Sequence, residues 1–142
     1  MRKRTLAREC VLKILYQKDI TRFDAQTAIE RFWKDEEEVD KEVQDFASSL
    51  FYGVNKNLEA IDNKISEYAT NWQLKRMAII DRNILRLGVF ELLFVAEIPP
   101  KVTINEAIEL AKKYGDSESS KFVNGILDKI HKTEAACQRK AS

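Results

Sequence analysis

The run over residues 79–97, IIDRNILRLGVFELLFVAE, limits the folds open to this chain more than any other stretch. It contains no proline and is long enough for about five turns of helix. Its first half carries charge at Asp81, Arg82 and Arg86, whereas from Leu87 to Ala96 nearly every position is apolar. A helix apolar on all sides is normally buried by others. In so short a chain it is expected to be the central rod on which the other segments pack. Its length approaches that of a membrane span, but the ionisable groups in its first half argue against one. Glu91 falls in the apolar half. A buried carboxylate needs a partner, and Arg86 and Lys101 are the candidates.

The 142 residues favour a single domain, 1–142, or two small helical subdomains sharing a core. With 44% hydrophobic and 33% charged residues the chain is too apolar for disorder. Only 4 Gly and 2 Pro occur, and no segment alternates as a strand would, so the fold class expected is all-α. The formal net charge of +1 provides no global positive field, and any nucleic-acid site must be local. Cys10 and Cys137 have no metal-ligand spacing and do not suggest a disulfide framework, which fits a reducing cytoplasm. Arg8, Glu9, Lys13 and Lys18 interrupt the apolar stretch that a signal peptide would need. A cytoplasmic protein with no membrane association is therefore expected.

In chain order, MRKR forms a short basic arm, followed by a helix with Thr5 as its N-cap and Leu6, Ala7, Cys10, Val11, Ile14 and Leu15 facing in. Arg8, Leu12 and Tyr16 line one edge of that face. Asp24 caps a second helix that runs to Trp33. Apolar residues then recur every three or four positions and predict one long helix over 37–69, with Gly53 at a close helix crossing. TNWQL, from Thr70, breaks the pattern before the central helix. The halves divide at about residue 70, into 1–70 and 71–133, with a polar tail over 134–142. Pro99 and Pro100 end the central helix. Thr103 to Glu106 reads as a capping box opening the next helix, which stops at Tyr114 and a left-handed Gly115. Asp116 or Ser117 caps the last helix, with Phe122, Val123, Ile126, Leu127 and Ile130 inside. Asn124-Gly125 lies in that helical stripe. A glycine there costs about 1 kcal/mol against alanine, which close packing or close approach by a ligand would offset.

No catalytic constellation is evident. His131 is the one histidine, and there is neither a glycine-rich phosphate loop nor a Walker-type lysine. Acidic pairs fall at helical spacings that suit ion pairs. No cofactor or metal is implied. What remains is a distributed surface: Arg2, Lys3, Arg4 and Arg8, then Lys112, Lys113 and Tyr114 at one helix end, then Ser117, Glu118, Lys121 and Phe122 at the next start. Basic groups interleaved with aromatics at the border of an apolar stripe suit single-stranded RNA, cations holding phosphates and rings stacking bases. The helix start at Ser117 would present free N–H groups to an anion. A helical scaffold with ordinary surface lysines fits the pattern as well.

Three segments, DRNILRLGVFELL from Asp81, IPPKVTINEAIELAKKYG from Ile98 and SKFVNGILDKI from Ser120, resemble the bacterial NusB family. The opening RTLARECVLKILYQ from Arg4 is similar to that family's Arg-rich first helix. The middle of the chain matches in helical pattern and length. The resemblance implies a compact helical bundle of two small helical subdomains and no enzymatic activity. It implies a transcription antitermination factor that binds boxA RNA of ribosomal operon leaders and spacers. The implied partners are NusE, a small-subunit ribosomal protein, and through the complex NusA, NusG and RNA polymerase. Carried over by position, the RNA surface comprises Arg2, Lys3, Arg4, Arg8, Tyr16, Lys112, Tyr114, Ser117, Glu118, Lys121 and Phe122. Glu118 stands where the family often has the shorter Asp, and Tyr114 where Phe is also common. The NusE surface is expected along the exposed flank of the central helix, at Arg76, Asp81 and Arg82. Domains of this kind also occur fused to RNA cytosine methyltransferases, but 142 residues leave no room for the catalytic part. The alternative is a helical protein-interaction module or homodimer without specific RNA binding.

Overall fold

Residues 83–91 are all buried, which is what a helix apolar on every side requires. They form the middle of a helix over Ile79–Phe94, here α5. The computed structural model describes residues 2–36, 38–69 and 74–141, with side chains to residue 134. The other elements, in chain order, are α1 (Lys3–Thr21), α2 (Ala25–Asp35), α3 (Lys41–Lys56), α4 (Leu58–Tyr68), a 3-10 turn (Leu74–Arg76), α6 (Pro100–Tyr114) and α7 (Ser119–Ala141). Among the described residues there is no strand, and no helix is long and apolar enough to cross a membrane. Two compact units result, Met1–Asn57 and Leu58–Ser142.

In the first unit α1 packs mainly on α3, with α2 against both. Ala7, Val11, Leu12, Ile14 and Leu15 of α1 meet a core that includes Phe32, Leu50 and Phe51. Helix α1 starts earlier than expected. Thr5 lies inside it, and the amide of Leu6 already donates to the Arg2 carbonyl. The basic first turn runs against the helix dipole. Lys3 answers this by bridging to Asp40 (3.1 Å) and Glu42 at the start of α3. Asp24 does cap α2, its carboxylate accepting from the Thr27 amide at 2.8 Å.

The single helix expected over 37–69 is two helices. Asn55 and Asn57 turn their side-chain amides back onto the carbonyls of Phe51 and Gly53, at 2.9 Å each. Such side-chain bonds compete with the helical ladder, and the break falls at Asn57, which is also the last residue of the first unit. The apolar stripe continues across the break, so sequence periodicity does not reveal it. Of the expected interruption over 70–74, residues 70–73 lie outside the described residues and Leu74 opens the 3-10 turn.

In the second unit α4, α6 and α7 each pack on α5. Fully burying one leucine-sized side chain contributes about 1.5–3 kcal/mol, against about 0.5–1.5 for a typical hydrogen bond. The run Ile84, Leu85, Leu87, Val89 and Phe90 therefore carries this unit. The polar groups on the same helix are held by specific partners. Arg86 grips Asp62 of α4 through two N–H···O bonds of 2.8 and 3.0 Å, and a third N–H reaches the Asn83 side chain at 3.0 Å. Glu91, 1% exposed, accepts from the Thr103 hydroxyl at 2.9 Å. Thr103 is thus no N-cap. Pro100 opens α6 with Pro99 before it, as a proline's missing N–H and fixed φ favour. The last helix continues through Ala141, past the tail boundary expected at 134.

Gly88 lets α5 and α7 touch. A Cβ there would lie 2.8 Å from Leu127 Cδ1, and Leu127 is itself fully buried. Gly88→Val is expected to cost about 1–3 kcal/mol in urea unfolding. Gly88→Val with Leu127→Ala should cost less than the sum of the two single changes, because the second removes the clash. Strict additivity would refute close packing at this crossing.

Candidate nucleic-acid interface

The residues nominated from sequence fall on both units. On the first, Arg2, Lys3, Arg4 and Tyr16 are exposed, whereas Arg8 is only 2% exposed. Phe46 of α3 explains part of this arrangement. The guanidinium carbons of Arg4 and Arg8 lie 4.5 and 5.7 Å from its ring centroid, within range of a cation–π attraction. Arg8 is therefore buried beside Phe46 rather than standing open as a phosphate ligand. Lys3 is exposed but not a free cation. Its bonds to Glu42 and then to Asp40 hold its ammonium above the ordinary lysine pKa. The spacing of Arg4 and Arg8, one helical turn apart, hints at a shared contact, but nothing in the sequence names Phe46.

On the second unit, Lys112 is exposed near the end of α6 and lies 3.7 Å from Glu109. Tyr114 is half-buried, with the Lys113 ammonium 5.4 Å from its ring centroid. Gly115 follows with φ −92°, not left-handed. Its lack of a side chain serves space instead, since a Cβ would collide with Ser119. Ser117, Glu118 and Lys121 are exposed and Phe122 is half-buried.

The start of α7 is not the open anion site the sequence suggested. Asp116 Oδ1 accepts from the amides of Glu118 (2.9 Å) and Ser119 (3.1 Å). A carboxylate of the chain itself thus occupies the N–H groups that a phosphate would have used. Asp116, Glu118 and Phe122 instead line a half-open cleft of about 140 Å³ with Met77, Ala78 and Asp81. Asp116 and Met77 escaped the sequence reading as cleft residues, because the cleft joins the start of α5 to the start of α7. Among the described residues, no cluster of His, Cys, Asp and Glu could hold a metal ion.

Of the positions proposed for a protein partner, Arg76 is exposed in the 3-10 turn. Arg82 is half-buried, one N–H directed at the Leu74 carbonyl at 3.5 Å. Asp81 departs from expectation: it is 9% exposed and turned into the cleft, not onto an exposed flank. Its Oδ1 has no hydrogen-bond partner among the described residues. Burial pushes the Asp81 carboxyl above the ordinary 3.8, a bond from the Ser119 hydroxyl draws it partly back, and the nearby Asp116 charge pushes it up again.

An unsatisfied buried carboxylate oxygen costs about 1–3 kcal/mol or more. The benefit of a carboxylate in the first turn of α5 is about 0.3–1 kcal/mol, so ionised Asp81 is a net penalty. Because its folded pKa is raised, the native state binds the extra proton between pH 3.8 and that higher pKa. The penalty is absent below this window and complete above it. Asp81→Asn is expected to stabilise the protein at pH 7 in urea titrations, with the gain shrinking as the pH falls toward 4. A loss of stability at pH 7 would show that the ionised carboxylate is well solvated in the cleft.

With this geometry in place, known proteins provide the comparison. A family model described as the NusB family matches residues 5–132. A transcription antitermination protein NusB from Anaeromyxobacter dehalogenans is 52% identical over 128 residues, which cover 90% of this chain and 89% of the relative. One from Citrifermentans bemidjiense is 49% identical over 140 residues, covering 94% and 97%. Among solved structures, T. maritima NusB superposes with a TM-score of 0.84 at 44% identity, over 91% of this chain and 90% of that one. A chain from a crystal structure of antitermination factors NusB and NusE in complex with dsRNA gives 0.85 at 30% identity, over 94% and 98%. The all-helical fold and the sequence agree, and the chain belongs to the NusB family.

Proposed function

We propose that this protein is an RNA-binding transcription antitermination factor that acts with a NusE-type partner on boxA RNA. The observation that carries this reading is the match, over almost the whole chain, to a protein solved with NusE and RNA. The exposed chemistry is compatible with it. On the first unit Arg2, Arg4 and Lys3 offer cations, the last after release from Asp40 and Glu42, and Tyr16 offers a ring. On the second, Lys112 and Lys121 offer cations, and Tyr114 and Phe122 are half-open rings. Cations fix the backbone and rings stack unpaired bases. Glu118, Asp116 and Asp81 around Phe122 repel phosphate and favour the donor groups of a base edge at that point. This supports a split of roles: lysines and arginines on each unit for the backbone, and the acidic cleft beside Phe122 on the second unit for a base. The chain acts by binding rather than catalysis, in the cytoplasm, where nascent RNA is made.

Fluorescence anisotropy of labelled boxA RNA and a scrambled control, with and without NusE and at two salt concentrations, tests this. Tighter binding to boxA, strengthened by NusE, is expected. Equal weak binding to both RNAs would defeat the proposal and favour a protein-interaction module. Phe122→Ala should cost about 1–3 kcal/mol of boxA binding while helical circular dichroism is retained. Replacing Arg2, Lys3 and Arg4 by alanine should weaken binding to both RNAs and flatten the salt dependence. An unchanged salt slope would remove the first turn of α1 from the interface.

A further inference from the structure

Gly125 sits in the second turn of α7, where glycine is a poorer helix former than alanine. The two usual structural reasons for such a glycine are missing. Its φ is not positive, so no left-handed backbone requires it. It is exposed, and a Cβ built on it would meet nothing within 4 Å. This separates it from Gly88 and Gly115, whose added Cβ atoms would run into Leu127 and Ser119. Close packing within the fold therefore does not account for Gly125, which leaves close approach from outside.

The surroundings give the visitor's chemistry. At 100° per residue, Lys121, Phe122 and Lys129 lie on the same face of α7 as Gly125. Lys121 is one turn before it and Lys129 one turn after, about 12 Å apart along the axis. Both lysines are exposed, and neither has an ion-pair partner among the described residues. The half-buried ring of Phe122 borders the glycine on the same face. A bare stretch of helix between two unneutralised ammonium groups and beside an aromatic ring suits a sugar–phosphate chain lying against the helix. A protein partner fits less well, since lysine is depleted at protein–protein interfaces. The carboxylates nearby are consistent with a defined track. Glu118 lies before the first turn, and Asp128 is engaged at 2.9 Å by Lys132.

We infer that Gly125 is a backbone-approach point for RNA, with Lys121 and Lys129 holding the phosphates on either side while a base stacks on Phe122. This rests on the RNA-binding function proposed above and adds Gly125 and Lys129 to its surface. The bare helix lets the strand come closer than any side chain would allow, and this closeness brings a base within reach of Phe122.

The test is to make Gly125→Ala and Gly125→Leu and to measure thermal unfolding and boxA anisotropy for each beside the wild type. The added methyl occupies open space and replaces a poor helix former, so Gly125→Ala is expected to raise Tm by about 2–4 °C. The same variant should bind boxA more weakly, and Gly125→Leu weaker still, by about tenfold or more. Greater stability with weaker binding is a combination that a folding defect cannot produce. Raised Tm with unchanged RNA binding would overturn the inference and leave the proposed function standing. Lowered Tm would also overturn it, by giving Gly125 a structural purpose. Unchanged RNA binding with weakened NusE binding would assign the strip to the protein partner and overturn it too. Should the wild type fail to distinguish boxA from the scrambled RNA, the function and the inference fall together.

Discussion

The second unit depends on the removal of the middle of one helix from water. Nine successive residues of α5, 83–91, are buried, and two of them, Arg86 and Glu91, carry charged side chains. Hydrophobic burial provides the driving force, but those polar groups decide the arrangement. Arg86 has to meet a carboxylate, which fixes α4 through Asp62. Glu91 has to meet a donor, which fixes α6 through Thr103. An unpartnered charge at either place would cost more than several buried methyl groups supply. Of the many ways to pack apolar helices around α5, these bonds retain few. Gly88 removes a further degree of freedom by setting how near α7 can come.

That arrangement shapes the surface where function is proposed. Once α6 and α7 are both seated on α5, the turn between them must be tight, and Gly115 lies where a Cβ would strike Ser119. The tight turn places Asp116 as the cap of α7 and brings Asp81 beside it. Three carboxylates, Asp81, Asp116 and Glu118, then line a small cleft with Phe122. The outcome is an acidic notch at the head of a helix whose next turns display lysines. On the proposed function, this charge pattern would repel phosphate from the notch and attract it along the helix, orienting a bound strand rather than merely concentrating it.

Features of the fold that depend on local pattern were legible in the sequence. The buried middle of α5 follows from its apolar run, although burial stops at Glu91 and Phe94 is exposed; the inner face of α7 follows from spacing, and the cap at Asp24 from residue type. Features that depend on distant residues were not. Thr103 has the form of a capping residue, and only the nearness of Glu91 shows that its hydroxyl is used otherwise. Asp81 looks like a surface charge in the first turn of a helix until Ser119 and Asp116 fold over it. Arg8 looks like a free cation until Phe46 is beside it. The break between α3 and α4 was hidden because two asparagines cap the helix from within an apolar stripe that continues. The sequence presents the candidate site as a set of residue types. The structure shows that those types differ in availability: Lys121 stands open, Lys3 is held by carboxylates, and Arg8 is buried.

The most direct test of the account is to map bound RNA onto the protein by amide chemical shifts, titrating unlabelled boxA RNA into isotope-labelled protein. The account predicts that the largest changes follow the exposed face of α7 from Glu118 to Lys129, with a second group in the first turn of α1. The amides of buried α5, residues 83–91, should stay nearly unchanged. Changes confined to other surfaces, with the α7 face silent, would contradict it.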